Sequence, residues 1–134
     1  MNIVNPQTAL VSLSDKSNLN HIIDFLVKKK IKILSTGGTY NAIKKITDNV
    51  VEVSEFTGFD EMMDGRVKTL HPKIHAGILA RRDSDLELLK EKGYETIDLV
   101  IVNLYPFEET IKKDCSFEDA IENIDIGGPT MIRA

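Results

Sequence analysis

A run of positive charge without acids is the first feature of this sequence that could carry chemistry. From Gly65 to Arg82 there is no Asp or Glu, while five lysines and arginines and two of the three histidines fall there. In a chain with a formal net charge of −4, such a run favours a local anion site over a polyanionic partner. The alternative is a solvated loop whose charges pair with acids elsewhere, and charge alone does not separate the two.

The turn Ser35-Thr36-Gly37-Gly38-Thr39 is a candidate phosphate cradle. Glycines let backbone N–H groups approach an anion, hydroxyls can donate, and a following helix adds the positive end of its dipole. The turn is neither a Walker A loop nor G-x-G-x-x-G, so it does not mark a nucleoside triphosphate or a dinucleotide. The structural alternative is a tight strand-to-helix turn with Thr39 as N-cap. With Lys16 and Arg66 as counter-charges, we favour phosphate.

Two other patterns invite a chemical interpretation. His71 and His75 have the spacing of metal ligands on a helix, but Pro72 lies between them and no Glu is adjacent, so a structural role is favoured over zinc. Asp125 lies between two isoleucines, just before Gly127-Gly128. An acid in such an apolar context can have a perturbed pKa and transfer protons, although a turn or capping aspartate is the common alternative.

Strands and helices alternate along the chain. Apolar runs predict strands at 9–13, 31–34, 50–53 and 99–102. The last run is apolar throughout, as expected for a strand buried on both faces. The alternation predicts an α/β layered fold with a mainly parallel sheet, in which ligands bind at the carboxyl ends of the strands.

Helical spacing of apolar residues fills the gaps between these strands. It predicts helices around 19–30, 42–46, 86–92 and 117–124, with Ser14 or Asp15 as the first N-cap, and leaves 54–82 irregular or briefly helical. Gly127-Gly128-Pro129 is predicted to be a loop before a last helix that stops after one turn. We therefore expect the chain to be a fragment of a longer protein.

Composition excludes several classes of protein. The 134 residues suit one domain, and the single cysteine, Cys115, excludes an intrachain disulfide framework and a cysteine-rich zinc site. No apolar run approaches the ~20 residues that span a bilayer, and the N-terminus lacks the pattern of a signal peptide. The negative charge disfavours non-specific nucleic-acid binding. We expect a cytoplasmic protein with no membrane or nucleic-acid partner.

Seven sequence blocks, in order, resemble the inosine monophosphate cyclohydrolase domain of bifunctional purine-biosynthesis proteins. They are SLSDK at 12–16, STGGT at 35–39, SEFTGF at 54–59, GRVKTLHP at 65–72, HAGILAR at 75–81, NLYPF at 103–107 and IDIGG at 124–128. A single glycine turn would be weak evidence. The fourth, sixth and seventh blocks in succession are highly specific.

The resemblance implies a fold similar to methylglyoxal synthase, a three-layer α/β/α sandwich, over residues 1–134 and incomplete at the C-terminus. It implies dehydrative ring closure of 5-formamidoimidazole-4-carboxamide ribotide to inosine monophosphate, with no metal or organic cofactor. It also implies a homodimer and, in the parent chain, a transformylase domain. The family pattern pairs Asp125 with a lysine in a following stretch that this sequence does not contain. We therefore expect nucleotide binding with weak or no turnover.

The resemblance also implies roles for individual residues. Lys68 and Tyr105 would stabilise negative charge on the formyl oxygen, and Asp125 would transfer protons. The substrate-binding positions would be Ser12, Ser14, Asp15, Lys16, Ser35, Thr36, Gly37, Gly38, Thr39, Arg66, Val67, Thr69, Val102, Asn103, Ile126 and Gly127.

Two other functions of the same fold class stay open. A methylglyoxal synthase would also bind a small phosphorylated substrate, but we would expect a glycine-rich stretch with paired aspartates, which the sequence lacks. A regulatory module, like that of carbamoyl phosphate synthetases, would bind phosphate without needing Lys68, Tyr105 and Asp125. Preference for purine monophosphates over phosphoglycolate-like compounds would distinguish the cyclohydrolase from the methylglyoxal synthase.

Overall fold

The computed structural model describes residues 4–104 and 106–134. The strands are β1 (Thr8–Ser12), β2 (Lys32–Ser35), β3 (Val50–Glu52) and β4 (Leu99–Val102). The helices are α1 (Leu19–Lys28), α2 (Gly37–Lys44), α3 (Val53–Thr57), α4 (Pro72–Leu79), α5 (Leu86–Glu91), α6 (Phe107–Lys112), α7 (Phe117–Glu122) and α8 (Gly127–Arg133). Of the helices in the described ranges, none has the length and apolar character to cross a bilayer.

The four strands form one parallel sheet in the order β3-β2-β1-β4. In the centre, Ala9 of β1 is paired with Ile33 of β2 on one side and with Leu99 of β4 on the other. Because all strands run the same way, the segments that follow β1, β2 and β4 leave the sheet at one edge. The predicted parallel α/β sheet is confirmed.

Alternate side chains of the strands build a core on each face of the sheet. Ala9, Val11 and Ile33 are buried against α1 and α2, whereas Leu10 and Leu34 are buried against α3, α4 and α8. Helices therefore cover both faces, which confirms the predicted three-layer α/β/α arrangement.

The first helix begins where it was predicted, but its predicted N-cap is wrong. Helix α1 begins after Asn18, and neither Ser14 nor Asp15 caps it. Instead, Asp15 Oδ1 accepts a hydrogen bond from Ser17 N (2.9 Å), and hydrogen bonds with Ser17 lower the pKa of Asp15. Thr39 is inside α2, whose N-cap is Thr36. Short-range side-chain hydrogen bonds of this kind compete with capping, and apolar spacing does not report them.

The C-terminal part of the chain also differs from expectation. Helix α8 begins at Gly127, so the predicted Gly127-Gly128-Pro129 loop is helical. A proline in the first turn is tolerated, because the N–H that it lacks would have no partner within the helix. Helix α6 was not predicted at all. Helix α7 is where its apolar spacing predicts it, but Phe117 is 77% exposed.

Candidate functional site

The carboxyl ends of β1, β2 and β4 open into a cavity of about 470 Å³. Its wall is completed by the segment 64–69, the end of α7 and the start of α8. This is the crevice in which parallel α/β sheets bind ligands. The parallel topology therefore gathers residues that are far apart in the sequence.

The start of α2 gives one side of this cavity a positive character. Gly37 has φ +49°, and a Cβ placed on it would lie 3.8 Å from Lys68 Nζ. A Cβ on Gly38 would lie 3.9 Å from Lys16 Nζ. Two ammonium groups therefore lie beside the first turn of a helix, whose N–H groups have no partners within the helix.

Buried hydroxyls hold this turn against β1. Ser35 Oγ donates to Val11 O (2.7 Å). Thr39 Oγ1 accepts from Leu13 N (3.0 Å) and donates to Leu13 O (3.1 Å). The hydroxyl protons of Ser35 and Thr39 are thus engaged with the backbone, while Thr36, Gly38 and Thr39 line the cavity.

The loop after β1 is shaped by two side chains. Asn103, which follows β4, accepts from Ser14 N and Asp15 N (3.1 Å for the latter) and donates to Asp15 O (3.0 Å). Lys16 Nζ donates to Leu13 O (2.8 Å). Asn103 therefore fixes the path of the loop that carries Lys16 into the cavity.

The lysines and arginines of the acid-free segment fall into two groups, those that line the cavity and those that do not. Arg66 and Lys68 line the cavity. The other cations of the segment do not line the cavity. Lys73 Nζ instead donates to Phe56 O (2.7 Å), and Arg82 forms an ion pair with Asp98 (3.1 Å). Both interpretations of the segment therefore apply, each to a different part of it.

Arg81 belongs to the second group of cations. It forms a two-bond pair with Asp85, with both donor–acceptor distances at 2.9 Å. Hydrogen bonds from the side chain and backbone of Arg81 lower the pKa of Asp85 to about 2.

A strained turn precedes Arg66 and Lys68, the two cations of the acid-free segment that line the cavity. Met62 and Val67 form an isolated antiparallel bridge. Between them, Met63 (φ 54°) and Asp64 (φ 56°) adopt the left-handed conformation that disfavours residues other than glycine, followed by Gly65 (φ 81°). Such strain persists where the surroundings impose it, and here the bridge and the turn fix where the following Arg and Lys emerge.

The acid of the cavity lies at the start of α8. Asp125 Oδ1 accepts from Gly128 N (2.9 Å). A Cβ on Gly128 would come within 2.8 Å of Asp125 Oδ2 and of Leu104 Cδ2, and one on Gly127 within 2.9 Å of Thr69 Oγ1. The two glycines therefore allow the close approach that sets the carboxylate at the cavity wall.

Comparison with known proteins assigns the domain. The family described as MGS-like domain matches residues 18–130. The chain belongs to the MGS-like domain family. Its fold matches the crystal structure of ForH with a TM-score of 0.78 and 33% identity, over 96% of this chain and 66% of that one.

Two curated relatives of this MGS-like domain are bifunctional purine biosynthesis proteins, each named PurH. The protein from Fusobacterium nucleatum is 58% identical over 128 residues, which is 94% of this chain and 25% of the relative. The protein from Clostridium acetobutylicum is 56% identical over 128 residues, 94% of this chain and 26% of the relative. The MGS-like domain thus spans about a quarter of the length of these relatives.

Most residues predicted for the site lie in the cavity wall of this MGS-like domain. They are Ser12, Ser14, Lys16, Thr36, Gly38, Thr39, Arg66, Lys68, Thr69, Val102, Asn103, Asp125, Ile126 and Gly127. Asp15, Ser35, Gly37 and Val67 lie outside the wall, next to residues that form it. Tyr105 lies outside the described residues, so its role stays a prediction.

Other wall residues were not predicted. They are Leu13, Asp64, Gly65, Ile121, Glu122, Ile124, Gly128 and Met131. Glu122 ends α7 and Asp125 lies beyond that helix, so helical spacing could not have indicated Glu122. His71 is not a metal ligand in this structure: its Nδ1 accepts from Lys73 N (3.0 Å) and caps α4. Within the described ranges, no group of three His, Cys, Asp or Glu side chains could hold a metal ion.

Proposed function

We propose that this domain is an inosine monophosphate cyclohydrolase that closes the ring of 5-formamidoimidazole-4-carboxamide ribotide. The observation that carries the proposal is the arrangement of charges across one cavity. Lys16 and Lys68 lie beside the first turn of α2, and Asp125 lies in the wall formed by α8. An anion site and a proton-transfer group therefore share a space of about 470 Å³, within the usual range for small-molecule sites of roughly 300–1,000 Å³.

The 5′-phosphate is the group that suits the α2 side of the cavity. Backbone N–H groups at a helix N-terminus bind phosphate, and the Lys16 ammonium group adds a full positive charge. Arg66, which also lines the cavity, supplies a planar guanidinium that can donate two parallel hydrogen bonds to phosphate oxygens. These contacts would fix the ribotide at one end and leave its reacting groups towards α8.

The reaction needs little beyond orientation and proton transfer. The carboxamide nitrogen forms a C–N bond to the formyl carbon, the C–O bond of that carbon breaks, and the oxygen leaves as water with one proton from the carboxamide nitrogen and one from the formamido nitrogen. Both reacting groups belong to one molecule, so holding them in register supplies much of the acceleration. We propose that Lys68, with Tyr105, stabilises charge on the formyl oxygen and that Asp125 accepts a proton from the nitrogen.

Further parts of the proposal concern the surroundings of the domain. As the resemblance to the cyclohydrolase domain implies, we propose that no metal or organic cofactor takes part. The names of the curated relatives support a bifunctional parent chain that acts in purine biosynthesis. We propose that this parent carries the transformylase domain that the resemblance implies and acts in the cytoplasm. Exposed apolar side chains on α6, α7 and α8, among them Ile111, Phe117 and Ile132, support a homodimer.

Calorimetric titration of the chain tests the phosphate site. We expect inosine monophosphate to bind at least tenfold tighter than inosine, because charged hydrogen bonds to phosphate are each worth about 1.5–3 kcal/mol. Phosphoglycolate serves as the control ligand, and tighter binding of it than of the nucleotide would favour a methylglyoxal synthase-like enzyme. Equal affinity for nucleotide and nucleoside would contradict the proposal.

A further inference from the structure

An acidic side chain faces one of the cavity cations. Glu122, the last residue of α7, lines the cavity with its carboxylate Oε2 4.0 Å from Arg66 Nε. At this distance the contact is an attraction between charges rather than a hydrogen bond. A carboxylate here is unexpected if the cavity receives a phosphate dianion, because the two negative charges repel each other.

The pair joins two parts of the wall. Arg66 belongs to the strained turn, where its Nε–H also donates to Met63 O (2.8 Å). That bond uses one of the five N–H donors of the guanidinium, so the pair with Glu122 does not exhaust the group. Glu122 ends a helix whose Phe117 and Ile121 are exposed, so its side chain can turn towards water without disturbing the core.

We propose that Glu122 is a positioning residue that holds Arg66 towards the cavity in the free protein and is displaced when phosphate binds. The side chains of Arg66 and Glu122 are 58% and 53% exposed, so a ligand can reach the arginine directly. A phosphate offers two oxygens to the guanidinium and outcompetes one carboxylate oxygen at 4.0 Å. Glu122 thus orients the arginine and, in doing so, weakens anion binding.

The inference rests on the proposed phosphate site, and a double-mutant cycle tests it separately from the nucleotide. Inorganic phosphate is titrated against the whole chain and the variants Glu122→Gln, Arg66→Gln and both together. We expect Glu122→Gln to bind phosphate roughly two- to fivefold tighter, the range expected when an exposed ion pair no longer competes. In the Arg66→Gln background, the same change should have a clearly smaller effect, because only the direct repulsion between the Glu122 carboxylate and the phosphate is then removed.

Glu118→Gln is the matched control. It removes the same charge one helical turn earlier on α7, from a side chain that does not line the cavity. Its affinity for phosphate should equal that of the unchanged chain. The sign of the Glu122→Gln effect also separates positioning from a structural role, which would weaken binding and lower the unfolding temperature.

Three results would overturn the inference. They are weaker or unchanged phosphate binding by Glu122→Gln, an equal gain in Glu118→Gln, or a gain by Glu122→Gln that is just as large without Arg66. Parallel titration with inosine monophosphate keeps the two proposals apart. If the cycle shows coupling but the nucleotide binds no better than inosine, the proposed function fails and the role of Glu122 stands. If the nucleotide binds as expected but the cycle shows no coupling, the proposed function stands and the role of Glu122 fails.

Discussion

Lys68 and Lys73 come from the same acid-free segment and meet different surroundings. Lys68 Nζ lies beside Gly37 and Gly65 at the cavity, whereas Lys73 Nζ lies 4.3 Å from the ring centroid of Phe56 and binds its carbonyl oxygen. The sequence could predict an anion site in this segment, since the density of charge is visible there. Charge density alone could not predict which cation faces the cavity, because that depends on the strained turn and on α4. Lys68 was singled out only by the resemblance of its sequence block to a known family.

A substitution of Lys68 separates chemistry from binding. If its ammonium stabilises charge that develops in the transition state, Lys68→Ala in a full-length version of the protein should lower kcat by about 10²–10³-fold and change KM much less. Steady-state cyclisation assays give both values. Arg81→Ala is the control, since it removes a charge from the same segment and breaks only an exposed pair with Asp85. A change confined to KM would make Lys68 a binding residue.

At the scale of elements, α2 is positioned by its own first turn. Thr39 is 5% exposed, and its hydroxyl bonds both the N–H and the carbonyl of Leu13. These bonds join the start of α2 to the loop after β1, which also carries Lys16. The sequence predicted a turn and a helix here, but the direction of the hydroxyls could not be predicted, because it depends on a loop more than twenty residues away.

Replacing Thr39 by valine keeps the shape and removes both bonds. Thr39→Val leaves buried backbone groups of Leu13 without this partner, so the free energy of unfolding should fall by about 1–3 kcal/mol. Inosine monophosphate should also bind more weakly, because the first turn of α2 and Lys16 lose their common anchor. Urea denaturation and calorimetry measure the two effects. Thr47→Val, which removes one exposed bond to Asn49 N, should change neither; equal effects of both variants would refute the anchoring role.

Elements with a simple period were predicted well, and those with special backbone geometry were not. The strands β1, β2, β3 and β4 were all predicted within about one residue, because apolar runs report burial directly. Helix α4 lies in a segment expected to be irregular or briefly helical, and its position was not predicted because its start depends on the His71 cap. Helix α7 shows that apolar periodicity identifies a helix without revealing whether its apolar face is covered.

At the scale of the whole molecule, a second hydrogen-bond network lies at the end of the sheet opposite the cavity, where β1 and β4 begin. Asp98 accepts from Gln7 N (2.8 Å), Thr8 N (3.2 Å) and Arg82 Nη2 (3.1 Å). Burial, the largest single influence, raises the pKa of Asp98, but hydrogen bonds from Gln7, Thr96, Thr8 and Arg82 together outweigh it and lower the pKa. The ionised form is therefore bound more strongly in the folded state than in the unfolded one.

This network should make stability depend on acid. Because the pKa of Asp98 is lower in the folded state, its contribution is present above its unfolded pKa of about 3.9 and is lost as the pH falls through the folded value. At pH 7, Asp98→Ala should lower the free energy of unfolding by about 1–3 kcal/mol, and the deficit should shrink below pH 4. Denaturation at several pH values measures it.

The control for Asp98 is Asp83, an exposed aspartate that directly follows Arg81 and Arg82 in the sequence. Asp83→Ala should leave stability within about 0.5 kcal/mol at every pH, as is usual for exposed substitutions. A deficit for Asp98→Ala that stayed constant from pH 7 to pH 2 would show that its ionised form is not what stabilises the fold.

The pairing of β1 on both sides also imposes an order on synthesis. Its first partner, β2, follows after a single helix, but its second partner, β4, leaves the ribosome only after α3, α4 and α5. Until then one edge of β1 has open backbone groups, the kind of edge that other chains can join. Because Asn103 and Asp125 come later still, a growing chain acquires its core before it acquires a complete cavity, and a ligand of that cavity can stabilise only the finished domain.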